Sequence, residues 1–141
     1  MRRIALCLFW LGCGGMSGPA QLSVGGTYDT AVSVLPGSTC SSPQVQNNPT
    51  VVAQEPGATS LSLTHAGVTY AGTVDMAGAF SVPATPAGNG AYQISIMGQF
   101  TATGFTATVH VVQLQPQPSC QYDVSWVGSK QGPPNTYPGY P

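Results

Sequence analysis

Charge is what this sequence has least of. Of its 141 residues three are Lys or Arg and four are Asp or Glu, a charged share of 5%, against roughly 25% in ordinary soluble proteins. Arg2 and Arg3 stand at the start, so Lys130 is the only cation in the rest of the chain. A nucleic-acid groove needs clustered Lys and Arg; nucleic acid is not an expected partner. Catalytic signatures are missing as well. No Gly-x-Ser-x-Gly elbow occurs, and no Gly-x-Gly-x-x-Gly opens a helix. The sparse charge does not imply disorder, because hydrophobic residues make up 42% of the chain and fall in strand-sized runs that can bury a core.

Those runs organise the chain. Between residues 60 and 82, Leu61 and Leu63, then Val68, Tyr70 and Val74, then Phe80 and Val82 alternate with mostly Ser and Thr, the period of a half-buried strand. His65-Ala66-Gly67 and Asp75-Met76-Ala77-Gly78 separate them, each ending in the Gly that a tight hairpin requires. The same alternation recurs on both sides. Tyr28, Thr30, Val32 and Val34 make a first strand ending at Pro36-Gly37, and residues 50–54 make a second, closed by Glu55-Pro56-Gly57. Tyr92, Ile94, Ile96 and Phe100, then Phe105, Ala107, Val109 and Val111, then Cys120, Tyr122, Val124 and Trp126 give three more. Segments 38–49 and 83–90 read as loops from their Pro, Gly and Asn content.

Eight strands in hairpin order predict an all-β antiparallel meander that closes into a barrel, with a β-sandwich as the alternative. The expected divisions are a signal peptide at 1–12, a flexible Gly/Ser-rich tether at 13–26, the β-barrel domain at 27–128 and a disordered Pro-rich tail at 129–141.

The N-terminus carries an export signal. Met1-Arg2-Arg3 is a basic n-region, and Ile4 to Leu11 is an apolar run too short to span a bilayer. It ends at Leu11-Gly12-Cys13-Gly14, which resembles the lipobox of bacterial lipoproteins. The resemblance covers about four residues and implies that Cys13 is diacylated, becomes the mature N-terminus and anchors the protein to a membrane of the cell envelope. The alternative is a soluble secreted protein cut after Gly18-Pro19-Ala20. Either way Cys40 and Cys120 are the two cysteines of the mature domain. In an oxidising compartment they are expected to pair, and closure of strand one on strand eight would bring them together.

Candidate sites are few. Zinc requires converging His, Cys or carboxylate ligands; His65 falls at a turn and His110 on a polar face, and both read as exposed structural histidines. Among the carboxylates, Asp75 and Glu55 belong to turns, while Asp29 and Asp123 are neighbours on the outer face if strands one and eight pair. No catalytic residue, metal or cofactor is expected, and the ligand-binding residues are unknown. An eight-strand barrel has room for side chains or one small ligand. The inward aromatics Tyr70, Phe80, Tyr92, Phe100, Phe105, Tyr122 and Trp126 are expected to fill most of it, which favours a non-enzymatic, surface-anchored binding or structural module of the cell envelope that meets a surface protein or glycan through its loops. The alternative is a carrier that resembles the calycins in strand count, holding a small apolar ligand inside. Gly26 is followed by Thr27 and Tyr28 rather than by the Gly-x-Trp of lipocalins, so no functional residue carries over. A connected interior pocket of about 300 Å³ would decide for the carrier. An outer-membrane barrel is a third reading, and strands near Thr50 and Ala79 are too short for it.

Overall fold

The computed structural model describes residues 20–138. Eight strands follow one another: β1 (Gly26–Val34), β2 (Asn48–Ala53), β3 (Ser60–His65), β4 (Val68–Val74), β5 (Ala79–Ala87), β6 (Tyr92–Thr101), β7 (Gly104–Gln113) and β8 (Cys120–Lys130). Each pairs antiparallel with its neighbour in sequence, and β1 closes on β8. The closed barrel, rather than the sandwich, is therefore the fold. Closure runs from Tyr28 opposite Lys130 to Val34 opposite Val124. Alternation does the sorting: Tyr28 and Thr30 are buried while Thr27, Asp29 and Ala31 face out, as a two-residue period on a curved sheet demands.

The disulfide lies where closure places it. Cys40 and Cys120 are bonded with a Cα–Cα distance of 5.1 Å. Beyond Val34 the chain keeps close to β8, with Leu35 N–H donating to Asp123 O at 2.8 Å and Thr39 N–H to Gln121 O at 2.9 Å.

Aromatic rings fill one end of the barrel. Phe80 and Phe100 lie 4.6 Å apart between centroids, and Tyr28 and Phe105 5.1 Å apart. Glycines opposite them make the space. A Cβ on Gly128 would lie 2.2 Å from Phe105 Cε1, and one on Gly98 would lie 2.4 Å from Phe80 Cζ; the rings occupy the volume that any other residue would claim.

Three expected boundaries need correction. The tether 13–26 does not stay outside the domain over its last residues: Leu22 and Val24 are fully buried. Two apolar residues flanked by Gly and Ser are too few to set a period, so only the tertiary fold reveals them as core. The tail 129–141 is likewise not free along its described part. Ser23 N–H donates to Thr136 O at 2.8 Å and Thr136 N–H to Ser23 O at 3.1 Å, so the two arms pair across the filled end. Asn135 is 3% exposed and holds the arm down, its Nδ2 donating to Thr101 O at 2.8 Å while its Oδ1 accepts from Lys130 Nζ at 2.6 Å. The loop expected at 83–90 is strand as far as Ala87. Its register shifts between Val82 and Thr85, a bulge that accommodates Pro83, and the registered pairing of β4 with β5 covers only Thr73 to Ser81 and Val74 to Phe80. Prolines survive in strands at such bulges and edges. The signal peptide, Cys13 and the last residues of the tail lie outside the described residues.

Candidate functional site

The aromatic plug stops halfway along the barrel. At the other end, where β1 leaves toward β2, the β3–β4 turn sits and β8 begins, the interior opens into a cavity of about 310 Å³. Trp126, His65, Val109, Val124 and Tyr70 line it from the strands, and Gln44 and Val45 line it from the β1–β2 loop. The inward aromatics do fill the barrel at the plugged end, but not here. Tyr92 and Tyr122, expected to help fill it, are only partly buried.

No Asp, Glu, Lys or Arg lines this cavity. Its polar groups are neutral, and burial keeps them so. Tyr70 has its hydroxyl pKa raised by burial first and by the neighbouring Tyr122 second; Tyr122 is raised by burial and then by Tyr92. Both remain protonated donors at neutral pH. Two larger hollows, of about 480 and 680 Å³, lie on the outer wall. Solvent-facing strand positions line them, such as Asp29, Ala31 and Val127 in one and Thr73, Ser81 and Met97 in the other. The larger of the two also touches the buried Val74 and Phe80, but only the interior cavity gathers inward positions from strands all round the barrel, Val32, His65, Tyr70, Ile94, Val109 and Trp126 among them, so it is the better candidate despite its smaller size.

His65 departs most from expectation. It closes β3 rather than lying on an exposed turn, and only 8% of it is exposed. Its ring stacks on Trp126 at 4.2 Å between centroids, tilted by 31°. Nδ1 lies 2.9 Å from the hydroxyl of Thr50, itself 2.7 Å from the hydroxyl of Thr30. Burial lowers the imidazole pKa from its ordinary value, because the charged ring would lose its hydration. The sequence does contain a signal for this group. Thr30, Thr50 and His65 continue the inward frames of Tyr28, Val52 and Leu63, and polar residues in an inward frame mark either a buried network or a cavity wall.

The other expected residues take separate places. His110 lies on the outer face of β7, its Nδ1 2.7 Å from Asp123 Oδ1 across the β7–β8 pair. Asp29 is not next to Asp123: it stands opposite Ser129 and accepts from Gln131 Nε2 at 2.7 Å. The closing register is offset from the one that would pair them. Asp75 holds its turn, its Oδ1 accepting from the N–H groups of Ala77 at 2.9 Å and Ala79 at 3.0 Å. Among the described residues no three His, Cys, Asp or Glu side chains converge.

Compared with known proteins, the chain matches no family, no curated protein and no solved structure.

Proposed function

We propose that this is an exported, non-enzymatic binding barrel that takes a small, uncharged, mostly apolar molecule into its open end. The cavity of about 310 Å³ beside Trp126, Tyr70 and His65 carries the proposal. It has the features of a small-molecule site: a concave apolar lining with a few polar groups, placed in the mouth of a barrel. A filled interior would have left only the loops to bind a partner. The half-filled one supports the calycin-like carrier over the surface module, and the absence of charge from the lining favours a neutral ligand.

Naphthalene uptake tests the reading. Titration should perturb the Trp126 indole signal in NMR spectra of the folded protein, and Val109→Trp, which fills the cavity, should abolish the effect. No perturbation in the wild type would overturn the proposal.

The cellular setting belongs to the same proposal. The Cys40–Cys120 bond fits an oxidising compartment. The lipobox-like Leu11-Gly12-Cys13 supports a lipid anchor that holds the barrel at a membrane of the cell envelope. Mass spectrometry of protein from a bacterial host should find a diacylated Cys13 at the mature N-terminus; an unlipidated N-terminus at Gln21 would leave a soluble secreted barrel instead.

A further inference from the structure

The hydroxyls behind His65 favour one of its tautomers, the one whose hydrogen-bond chain uses every contact they make. Thr30 Oγ1 donates its single proton to Tyr28 O at 3.3 Å. In the arrangement that makes all three contacts hydrogen bonds, the 2.7 Å contact between Thr30 and Thr50 is donated by Thr50. That arrangement spends the proton of Thr50, so its 2.9 Å contact with His65 is donated by Nδ1. A hydroxyl has one proton and a neutral imidazole has one N–H, and this assignment follows from the network. Nε2 is left with a bare lone pair. No polar side-chain atom fully buried among the described residues lacks a partner, and Nδ1 has taken the Thr50 bond; Nε2 therefore opens onto the cavity that His65 lines.

We infer that the cavity selects uncharged ring-bearing molecules that carry a hydrogen-bond donor, such as a phenol or aryl alcohol, and that His65 Nε2 accepts that hydrogen. The inference rests on the binding reading above and specifies its ligand class. Trp126 supplies the apolar, stacking part of the recognition, and the Thr30–Thr50–His65 chain supplies its polarity. A ligand without a donor would cover Nε2 and strip it of water with nothing in return, which is the larger penalty in any hydrogen-bond exchange. Lowering of the imidazole pKa by burial keeps the ring neutral and Nε2 unprotonated at neutral pH. His65 is on this view the specificity residue, and Thr30 and Thr50 are positioning residues that act through it.

The test uses the disulfide-bonded protein and three probes: naphthalene, 2-naphthol and 2-methoxynaphthalene. At neutral pH 2-naphthol should bind about tenfold or more tightly than 2-methoxynaphthalene, which keeps the oxygen but not the donor. His65→Phe should bring the two within a few-fold of each other while naphthalene still binds. Thr50→Val, which keeps the shape of the wall, should weaken the preference by releasing the tautomer. A long-range proton–nitrogen NMR spectrum of the ligand-free protein should place the His65 proton on Nδ1. A proton on Nε2, or equal affinity for 2-naphthol and 2-methoxynaphthalene, would overturn the inference and leave the binding site standing. Failure of all three probes to bind the wild type would overturn the binding reading, and the inference with it.

Discussion

The imidazole of His65 lies 4.2 Å from the indole of Trp126, with one residue on β3 and the other on β8. These strands are not neighbours in the sheet; they face one another across the interior. The pair marks the level at which the barrel passes from packed aromatic rings to open cavity.

Stability should depend on pH through His65. Its native pKa is lowered by burial, so the unfolded chain takes up a proton as the pH falls through about 6.5 while the folded protein resists it. The unfolded state binds more protons over that interval. Stability is thus complete above the interval, declines as the pH falls toward the lower native pKa, and levels off below it. Melting temperatures at about pH 8 and about pH 5 check this: the wild type should lose more than His65→Phe, and equal losses would refute the assignment.

Removing the disulfide should destabilise the barrel without changing its strands. The bond spans 80 residues of sequence, and on the chain-entropy account a loop of that length contributes about 4 to 5 kcal/mol. Cys40→Ser with Cys120→Ser should lower the denaturation midpoint by a corresponding amount and leave the far-ultraviolet circular dichroism unchanged.

Both arms at the plugged end should prove to be part of the core. Leu22→Ala should cost about 2–5 kcal/mol in denaturant unfolding, the range for a buried leucine. Asn135→Ala should cost about 1–3 kcal/mol, since it removes the Nδ2 bond to Thr101 O and takes away a partner of the Tyr28 hydroxyl, 2.8 Å from Asn135 Oδ1. A genuine tether and tail would tolerate both changes.

Gly128→Ala should destabilise by about 1–3 kcal/mol, the usual cost of overpacking. The new methyl group would fall 2.2 Å from Phe105 Cε1 and force the ring out of the plug. The same substitution at Gly132, where nothing lies within 4 Å of the added Cβ, meets no such clash; its positive φ of 87° adds backbone strain only. Comparing the two variants by thermal unfolding separates the steric effect from the general one.

Alternation and turn chemistry made the strands legible. Leu61-Ser62-Leu63 and Phe105 to Val111 declare their faces in sequence because a strand turns its side chains over every two residues, and Asp75 and Gly78 declare the turn between β4 and β5. The eight strands and their hairpin order follow from such local rules; the pairing of Cys40 with Cys120 follows from the cysteine count and export together with closure of the barrel. By contrast, the arms at Leu22 and Asn135 have too few contacts along the chain to declare anything. Their burial comes from pairing with each other, more than 100 residues apart. The strand at Pro83–Ala87 was hidden for a related reason: proline opposes strand structure in general and is admitted here by a bulge that only β6 defines.

The cavity depended most on tertiary structure. The two-residue period alone points Tyr70, Phe80, Phe100, Phe105 and Trp126 inward. It did not determine how they share the interior. The registers among β5, β6, β7 and β8 gather Phe80, Phe100 and Phe105 at one end, over Gly98 and Gly128, and closure of β1 on β8 brings Tyr28 to them and sets Trp126 against His65 at the other. Inward direction is a property of each residue and its neighbours in the chain, whereas filled and empty volume is a property of residues brought together from strands far apart in sequence. That is why the side chains of a binding cavity were visible in the sequence and the cavity itself was not.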